Sequence, residues 1–388
     1  MKEIYFDNAA TTPVREEVFV EMNRYFSEEY GNPSSIYNLA KNAKKAVEHA
    51  REQVAAILCA ESKEIYFTSS GTESDNWAIK GISEAYSSKG KHIITQQTEH
   101  HAVLHTCEYL QKKGYEVTYL SVDSDGFVVI DELKKAIRND TILISIMAAN
   151  NEIGVIQPLK EIGKIAKEHG ILFHTDAVQA VGRIPLNVNE FNIDLLSLSS
   201  HKNYGPKGVG ALYVKKGVKL PPLLHGGSQE RNHRAGTENV PGIVGFGKAV
   251  ELISAEMEEE NKKLTEIRDK IINEILSAIP HCRLNGSRNN RLPGNINISF
   301  EYIEGESILL LLGHSHKIAA SSGSACTSGS LDPSHVLLAI GLDHATSHGS
   351  LRISLGKYNT MEEADILLEA LPSVIHKLRE ISPLYNGN

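Results

Sequence analysis

Ile193-Asp-Leu-Leu-Ser-Leu198 runs directly into Ser199-Ser-His-Lys202-Asn-Tyr-Gly-Pro-Lys-Gly208. The first part reads as a buried strand and the second as a loop punctuated by Gly and Pro, which leaves Lys202 just beyond a strand end. Upstream, Ile171-Leu-Phe-His-Thr-Asp176 has the same texture and ends in a carboxylate 26 residues before the lysine. That separation suits two neighbouring strands joined by a short connection, so Asp176 and Lys202 meet at one sheet edge. Pyridoxal phosphate needs such a pair: an amine to bind it covalently and a carboxylate to keep its pyridine nitrogen protonated. A solvated loop lysine and an ordinary strand-end aspartate fit the same residues.

Outward from this stretch, β-branched runs alternate with helical segments from about residue 64 to residue 214. The runs are Ile65–Thr68, His92–Thr95, Val117–Leu120, Ile142–Ile146, Leu172–Thr175, Leu195–Leu198 and Gly210–Val214. The pattern predicts an α/β fold with a mostly parallel seven-stranded sheet covered by helices. Before it, Ala43, Val47, Ala50, Val54 and Leu58 form one apolar helical stripe. After Pro241 a long helix carries Leu264, Ile267, Ile271, Ile275 and Ala278 on one face and stops at Pro280. Its acidic residues, Glu256 and Glu258 to Glu260, read as a solvated face. Strand candidates Asn295–Phe300, Ile318–Ser321 and Leu351–Leu355, then a helix opened by the capping box Thr360-x-x-Glu363, predict a smaller α+β C-terminal domain. The expected division is a large domain over 15–258 and a small one from 1–14 and 259–388.

With 388 residues the chain is long enough for two domains, and 41% hydrophobic residues fit a soluble globular protein. A net charge of −8 offers no basic footprint for nucleic acid. The N-terminus lacks a signal-peptide core and no apolar run spans a bilayer, so a cytoplasmic protein away from membranes is expected. Cys59, Cys107, Cys282 and Cys326 are scattered without disulfide or zinc spacing. His101, His105 and Cys107 offer the one metal-like spacing, but the Glu of a zinc-protease motif is missing and no metal is expected.

Several strand ends carry chemistry-bearing residues. Thr68-Ser-Ser-Gly71-Thr72 precedes a helix whose first N–H groups, at Gly71 and Thr72, suit a phosphate; an ordinary helix cap reads equally well. His100 follows another strand and can stack on a ring. Asn151 lies in the turn Asn150-Asn-Glu-Ile-Gly154, and Gln179 lies one helical turn beyond Asp176. Five strand ends thus offer groups suited to one phosphorylated ring, and ligands of open α/β sheets sit at that edge. Separately, Ser321-Ser-Gly-Ser-Ala-Cys326-Thr-Ser-Gly-Ser330 encloses one cysteine among small polar residues, the setting of an exposed, nucleophilic thiol. Arg352 suits either a substrate carboxylate or a structural ion pair.

Together these stretches closely resemble the NifS/IscS-type cysteine desulfurases, fold-type I pyridoxal-phosphate enzymes of the class-V aminotransferase family. The resemblance runs from Tyr5-Phe-Asp-Asn-Ala-Ala-Thr-Thr12 to Ser350-Leu-Arg-Ile-Ser-Leu-Gly356. It includes Gly31-Asn-Pro-Ser-Ser35, Thr98-Glu-His100, Thr175-Asp-Ala-Val-Gln179, Ser200-His-Lys202 and Arg234-Ala-Gly-Thr-Glu-Asn239. It implies that Lys202 binds the cofactor, Asp176 pairs with the ring nitrogen, His100 stacks on the ring and moves protons, and Gln179 contacts the phenolic oxygen. Thr72, Ser199 and His201 match phosphate ligands. Thr237 matches one supplied by a neighbouring subunit, which implies a homodimer. Asn151 and Arg352 match the groups that bind the carboxylate of L-cysteine. Cys326 matches the residue that takes the sulfur as a persulfide and delivers it to an iron–sulfur scaffold or another acceptor protein.

Tyr37, Ala40, Asn203 and the stretch Ser228–His233 depart from the family pattern without removing a group the chemistry needs. A selenocysteine lyase or an aminotransferase on the same cofactor is the rival activity, and the cysteine segment argues against the aminotransferase. A catalytically silent adaptor for sulfur-pathway partners is the rival outside enzymes; intact Lys202, Asp176 and Cys326 argue against it.

Overall fold

The computed structural model describes residues 3–322 and 332–385. The chain opens with a short strand, β1 (Ile4–Tyr5), which the sequence reading missed. The central sheet follows: β2 (Ile65–Thr68), β3 (His92–Gln96), β4 (Glu116–Leu120), β5 (Thr141–Ser145), β6 (Leu172–Asp176), β7 (Leu195–Ser199) and β8 (Gly210–Val214). Their order across the sheet is β2-β8-β7-β6-β5-β3-β4. Only β8 runs against the rest, so β2, β7, β6, β5 and β3 all point their carboxyl ends to one edge. β3, β5, β7 and β8 are buried along their whole length. That explains why they read as continuous apolar runs without alternation.

The second sheet is antiparallel, with β9 (Cys282–Leu284) and β12 (Ser350–Ser354) on either side of β10 (Asn295–Phe300). β11 (Ile318–Ala319) pairs in parallel with β1, bringing the N-terminus into this half of the molecule. The strand expected over Ile318–Ser321 stops at Ala319, and Ser321 forms a bridge to Arg352 instead. The capping box at Thr360 and Glu363 is formed in both directions and opens the helix Met361–Ile381.

The helix Val240–Ala278 joins the halves. Val240, Ile243, Val244, Phe246 and Val250 pack into the core around the large sheet. Leu264, Ile267, Ile271, Ile272 and Ile275 pack into a second core with Ile4, Phe6, Ile296, Phe300 and Leu367. Residue 258, where the expected large domain ends, lies between the two sets.

Around that crossing the acidic face is not simply solvated, contrary to the expectation from sequence. Glu258 and Glu259 are exposed, but Glu260 is buried, where it pairs with Arg183 and accepts a hydrogen bond from Tyr204 at 3.2 Å. Glu256 accepts from Arg15 at 2.7 Å and pairs with Lys357. The helix passes over a seam there, so its polar face meets chain on both sides. Among the described residues, no helix is long and apolar enough to cross a membrane.

Candidate active site

The sheet edge where the five strands end borders a cavity of about 310 Å³. Among its lining residues are Gly71, Thr72, His100, Asn151, Asp176, Gln179, Ser199, His201, Lys202 and Arg352. Asp176 ends β6 and Lys202 closes the turn after β7; the two strands pair directly, with Asp176 opposite Ser197. Lys202 Nζ donates to the carbonyls of Ala9 at 2.7 Å and Ala10 at 2.6 Å. Gln179 Nε2 donates to the same Ala9 carbonyl at 3.0 Å. The N-terminal segment is therefore strapped across the lysine, through backbone oxygens that carry no side-chain signal in a sequence.

The helix Gly71–Ala85 begins at the cavity. Its first backbone bond within the turn runs from Ser74 N to Ser70 O, and Ser70 Oγ accepts from Glu73 N at 3.2 Å. The N–H groups of Gly71 and Thr72 precede both, as free donors at a helix start do. A Cβ on Gly71 would lie 2.6 Å from Val178 Cγ2, so close packing of helix against strand end excludes a side chain there. Glu73, from the same turn, holds Arg234 at 2.9 and 3.2 Å.

His100 caps the helix His101–Gln111, its Nδ1 accepting from Ala102 N at 3.1 Å. Accepting there requires a lone pair on Nδ1, so the ring is neutral with its proton on Nε2. Burial, and next the positive charge of Lys202, holds this imidazole down at about 4. The same two causes hold His201 at about 4. Asp176 accepts from Val178 N at 2.9 Å; burial raises it above the ordinary carboxylate range, while that bond and Lys202 oppose the shift. Behind it stand two further buried acids that the sequence reading did not single out. Asp75 is raised by burial and by Asp176, and lies 3.6 Å from His174 Nε2; Glu99 is raised chiefly by burial and accepts from Met147 N at 2.6 Å. Nothing in their residue type or spacing marks them, because helix and turn positions give no sign of which polar residue faces inward.

Arg352, on β12, forms the ion pair that one of its sequence readings expects and also faces the cavity. Its guanidinium pairs with Asp7 at 2.9 Å, donates to the Asn151 carbonyl at 3.2 Å and still lines the cavity. Buried Glu152 is pushed up to about 7 by burial, against the Ser334 hydrogen bond and the charge of Arg352. Thr237 is exposed and outside the cavity of its own chain. Ahead of it, Glu230, Arg231 and Asn232 are consecutive left-handed residues with φ of 45, 57 and 67°. The Glu230 carboxylate anchors them through Arg51 at 2.7 and 3.0 Å and Phe67 N at 3.1 Å. This is how the divergent stretch Ser228–His233 manages without more glycine. Asn203, the departure beside the lysine, is buried at 1% exposure. Tyr37 is exposed at the start of the helix Asn38–Ile57.

His101 stacks on His105, with ring centroids 4.9 Å apart, while Cys107 is buried in the core on that helix's other side. Among the described residues, no group of three or more His, Cys, Asp or Glu side chains is placed to hold a metal. Cys326 lies outside the described residues.

The residues at the sheet edge fit pyridoxal phosphate. A buried carboxylate with a raised affinity for protons suits a cationic ring N–H, and free helix N–H groups beside Ser199 and His201 suit a dianionic phosphate. A lysine between them completes the arrangement of a fold-type I enzyme.

Comparison with known proteins agrees. The family model "Aminotransferase class-V" matches residues 4–367. The chain is 62% identical to "Cysteine desulfurase IscS" of Methanosarcina thermophila, over 99% of this chain and 94% of that one. A solved "NIFS-LIKE PROTEIN" superposes with a TM-score of 0.91 at 41% identity, covering 97% of this chain and 100% of the other. A structure of "SspA in complex with cysteine" superposes with a TM-score of 0.81 at 41% identity, covering 92% and 100%. The chain belongs to the class-V aminotransferase family and, within it, to the NifS/IscS-type cysteine desulfurases.

Proposed function

We propose that this protein takes L-cysteine as substrate, with pyridoxal phosphate on Lys202, and passes the sulfur to Cys326. The observation that carries the reading is the convergence of Lys202, Asp176, His100 and Arg352 on one cavity. Gly71, Thr72, Ser199 and His201 would hold the phosphate, joined by Thr237 of a neighbouring subunit in a homodimer. Asp176 would keep the ring nitrogen protonated, Gln179 would contact the phenolic oxygen and His100 would stack on the ring. When bound, the cofactor supplies an electron sink for the carbanion at the substrate's α-carbon.

The protein's own groups do the rest. Arg352, oriented by Asp7, and Asn151 bind the substrate carboxylate. Lys202 would be the base at the α-carbon. His100, neutral with its proton on Nε2, can donate one at that nitrogen. Cys326, as thiolate, forms a bond to the substrate sulfur; the C–S bond breaks, its electron pair goes to the β-carbon, and protonation there yields alanine. One L-cysteine and one thiol become one L-alanine and one persulfide. An iron–sulfur scaffold or another acceptor protein then takes the sulfur, in the cytoplasm.

The test is a single-turnover reaction of the purified holoenzyme with L-cysteine, following alanine and the mass of the Cys326 peptide. The expected result is alanine in step with a 32 Da adduct on that peptide, the mass of one sulfur atom. Cofactor absorbance without either product would redirect the reading to another pyridoxal-phosphate reaction.

A further inference from the structure

Of the two chain ends that flank residues 323–331, one is tied to Arg352, assigned above to the substrate carboxylate, and the other to Glu152, the neighbour of Asn151. On one side Ser321 and Arg352 exchange two backbone hydrogen bonds, at 2.6 and 3.1 Å. On the other, Ser334 donates its hydroxyl proton to Glu152 Oε2. The direction of that bond is fixed. Ser334 Oγ already accepts from Val336 N at 3.1 Å and Leu337 N at 3.3 Å, as cap of the helix His335–Ala339, so both lone pairs are in use and its one proton faces Glu152. Glu152 must therefore accept at Oε2 whether or not its other oxygen carries a proton.

Glu152 is itself held rigidly. Its carbonyl accepts from Asn295 Nδ2 and Asn297 Nδ2, both at 3.2 Å, and its N–H donates to Asn150 Oδ1 at 2.9 Å. Its neighbours Ile153 and Val155 pack with Val336, Leu337 and Ile340 in a separate apolar cluster. Apolar packing presses the short helix onto this turn without direction. The hydrogen bond supplies the direction.

We propose that Glu152 is a positioning residue for sulfur transfer: by fixing Ser334 it sets where the chain leading back to Cys326 starts, relative to Asn151 and Arg352. Asn151 and Glu152 are adjacent, so one turn orients both the substrate's carboxylate and the root of the segment that bears its sulfur acceptor. This rests on the desulfurase reading above.

The experiment uses holoenzyme of the wild type and of Glu152→Ala, Glu152→Gln, Ser334→Ala and the double variant Glu152→Ala/Ser334→Ala. It measures the single-turnover rate of the Cys326 adduct, the KM for L-cysteine and the cofactor absorbance. Losing a directed bond to a carboxyl group predicts that Glu152→Ala and Ser334→Ala each slow adduct formation about tenfold or more, while KM moves less than about threefold. Glu152→Gln keeps a carbonyl acceptor and should stay within about threefold of the wild-type rate. The double variant should be no slower than the worse single one, because both remove the same bond. Unchanged rates, a loss confined to KM, additive losses, or Glu152→Gln as slow as Glu152→Ala would each overturn the proposal. If Glu152→Ala does not fold, Ser334→Ala and Glu152→Gln decide it by the same criteria. A wild type that forms no adduct would instead overturn the desulfurase reading, and this one with it.

Discussion

On one side of the cavity, Asp176, Ser199 and Lys202 stand at the ends of adjacent strands, held by a continuous ladder and a core buried on both faces. On the other side, Arg352 sits on the smaller sheet and reaches the cavity through contacts with distant chain: Asp7, the Asn151 carbonyl and the backbone of Ser321. Between them runs the N-terminal strap, with Lys202 on Ala9 and Ala10, Thr12 bonded to His201, and Asn8 bonded to Ser354. The strand-end wall is suited to holding a fixed ring. The Arg352 wall is suited to recognising what arrives and leaves, and its pieces come from separate parts of the chain.

Removing Lys202 tests that division most severely. Lys202→Ala should lower single-turnover alanine formation by about 10³-fold or more, since the base at the α-carbon is lost. The linked cofactor's absorbance should disappear as well. Cys326→Ala should equally abolish the adduct while leaving cofactor absorbance intact. If the two variants lost cofactor alike, the assignment of binding to one wall and transfer to the other would fail.

On the opposite wall, Arg352→Gln should raise the KM for L-cysteine by about 100-fold, the usual cost of losing a charge-assisted pair with a carboxylate. Cofactor absorbance should not change. A KM near the wild-type value would mean that Arg352 serves Asp7 alone, the structural alternative its sequence left open.

The same contrast explains what the sequence made legible. All seven strands of the large sheet stand within about two residues of where the apolar runs put them, and in β3, β5, β7 and β8 burial on both faces writes the strand as an unbroken run. The pairing of Asp176 with Lys202 followed from the order of those runs. The two-residue strand β1 and the three-residue β9 are too short to show a period, and they passed unseen. The Ala9 and Ala10 carbonyls that Lys202 meets carry no side-chain signal, and the partners of Arg352 lie far along the chain, so these contacts had no local signal. Glu260 read as solvated because a helix face does not disclose that Arg183 and Tyr204, from a distant stretch of chain, meet it.

His100 bridges the comparison, since it is on the strand-end wall yet is assigned a proton-moving role. Its pKa is depressed to about 4, below the value near 6.5 expected in an unfolded chain. Between those values the unfolded chain binds a proton that the folded one does not, so stability falls as pH drops from about 6.5 toward 4. Relative to His100→Gln, the wild type should lose on the order of 2 kcal/mol of unfolding free energy between pH 7 and pH 5. Urea titrations of both proteins at the two pH values measure the difference and cancel the other titrating groups. Equal losses in both proteins would mean that His100 titrates normally, and that its Nδ1 does not hold the helix cap.

The smallest effect concerns the helix start at the phosphate side. Ser70 Oγ satisfies Glu73 N, which leaves the N–H groups of Gly71 and Thr72 as the outermost donors of the helix Gly71–Ala85. Ser70→Ala removes a cap and should cost about 1 kcal/mol of stability in the cofactor-free protein. It does not move Gly71, whose place is fixed by contact with Val178, so the donors facing the cavity remain where they are. Cofactor added at saturating concentration should then stabilise the variant as much as the wild type and leave that gap of about 1 kcal/mol unchanged, because a ligand that binds only the folded state stabilises it by mass action according to its affinity. A gap that widens with saturating cofactor would show that the cap, and not only the packing at Gly71, shapes the anion site. The strand-end wall would then depend on a single side chain, as the Arg352 wall does.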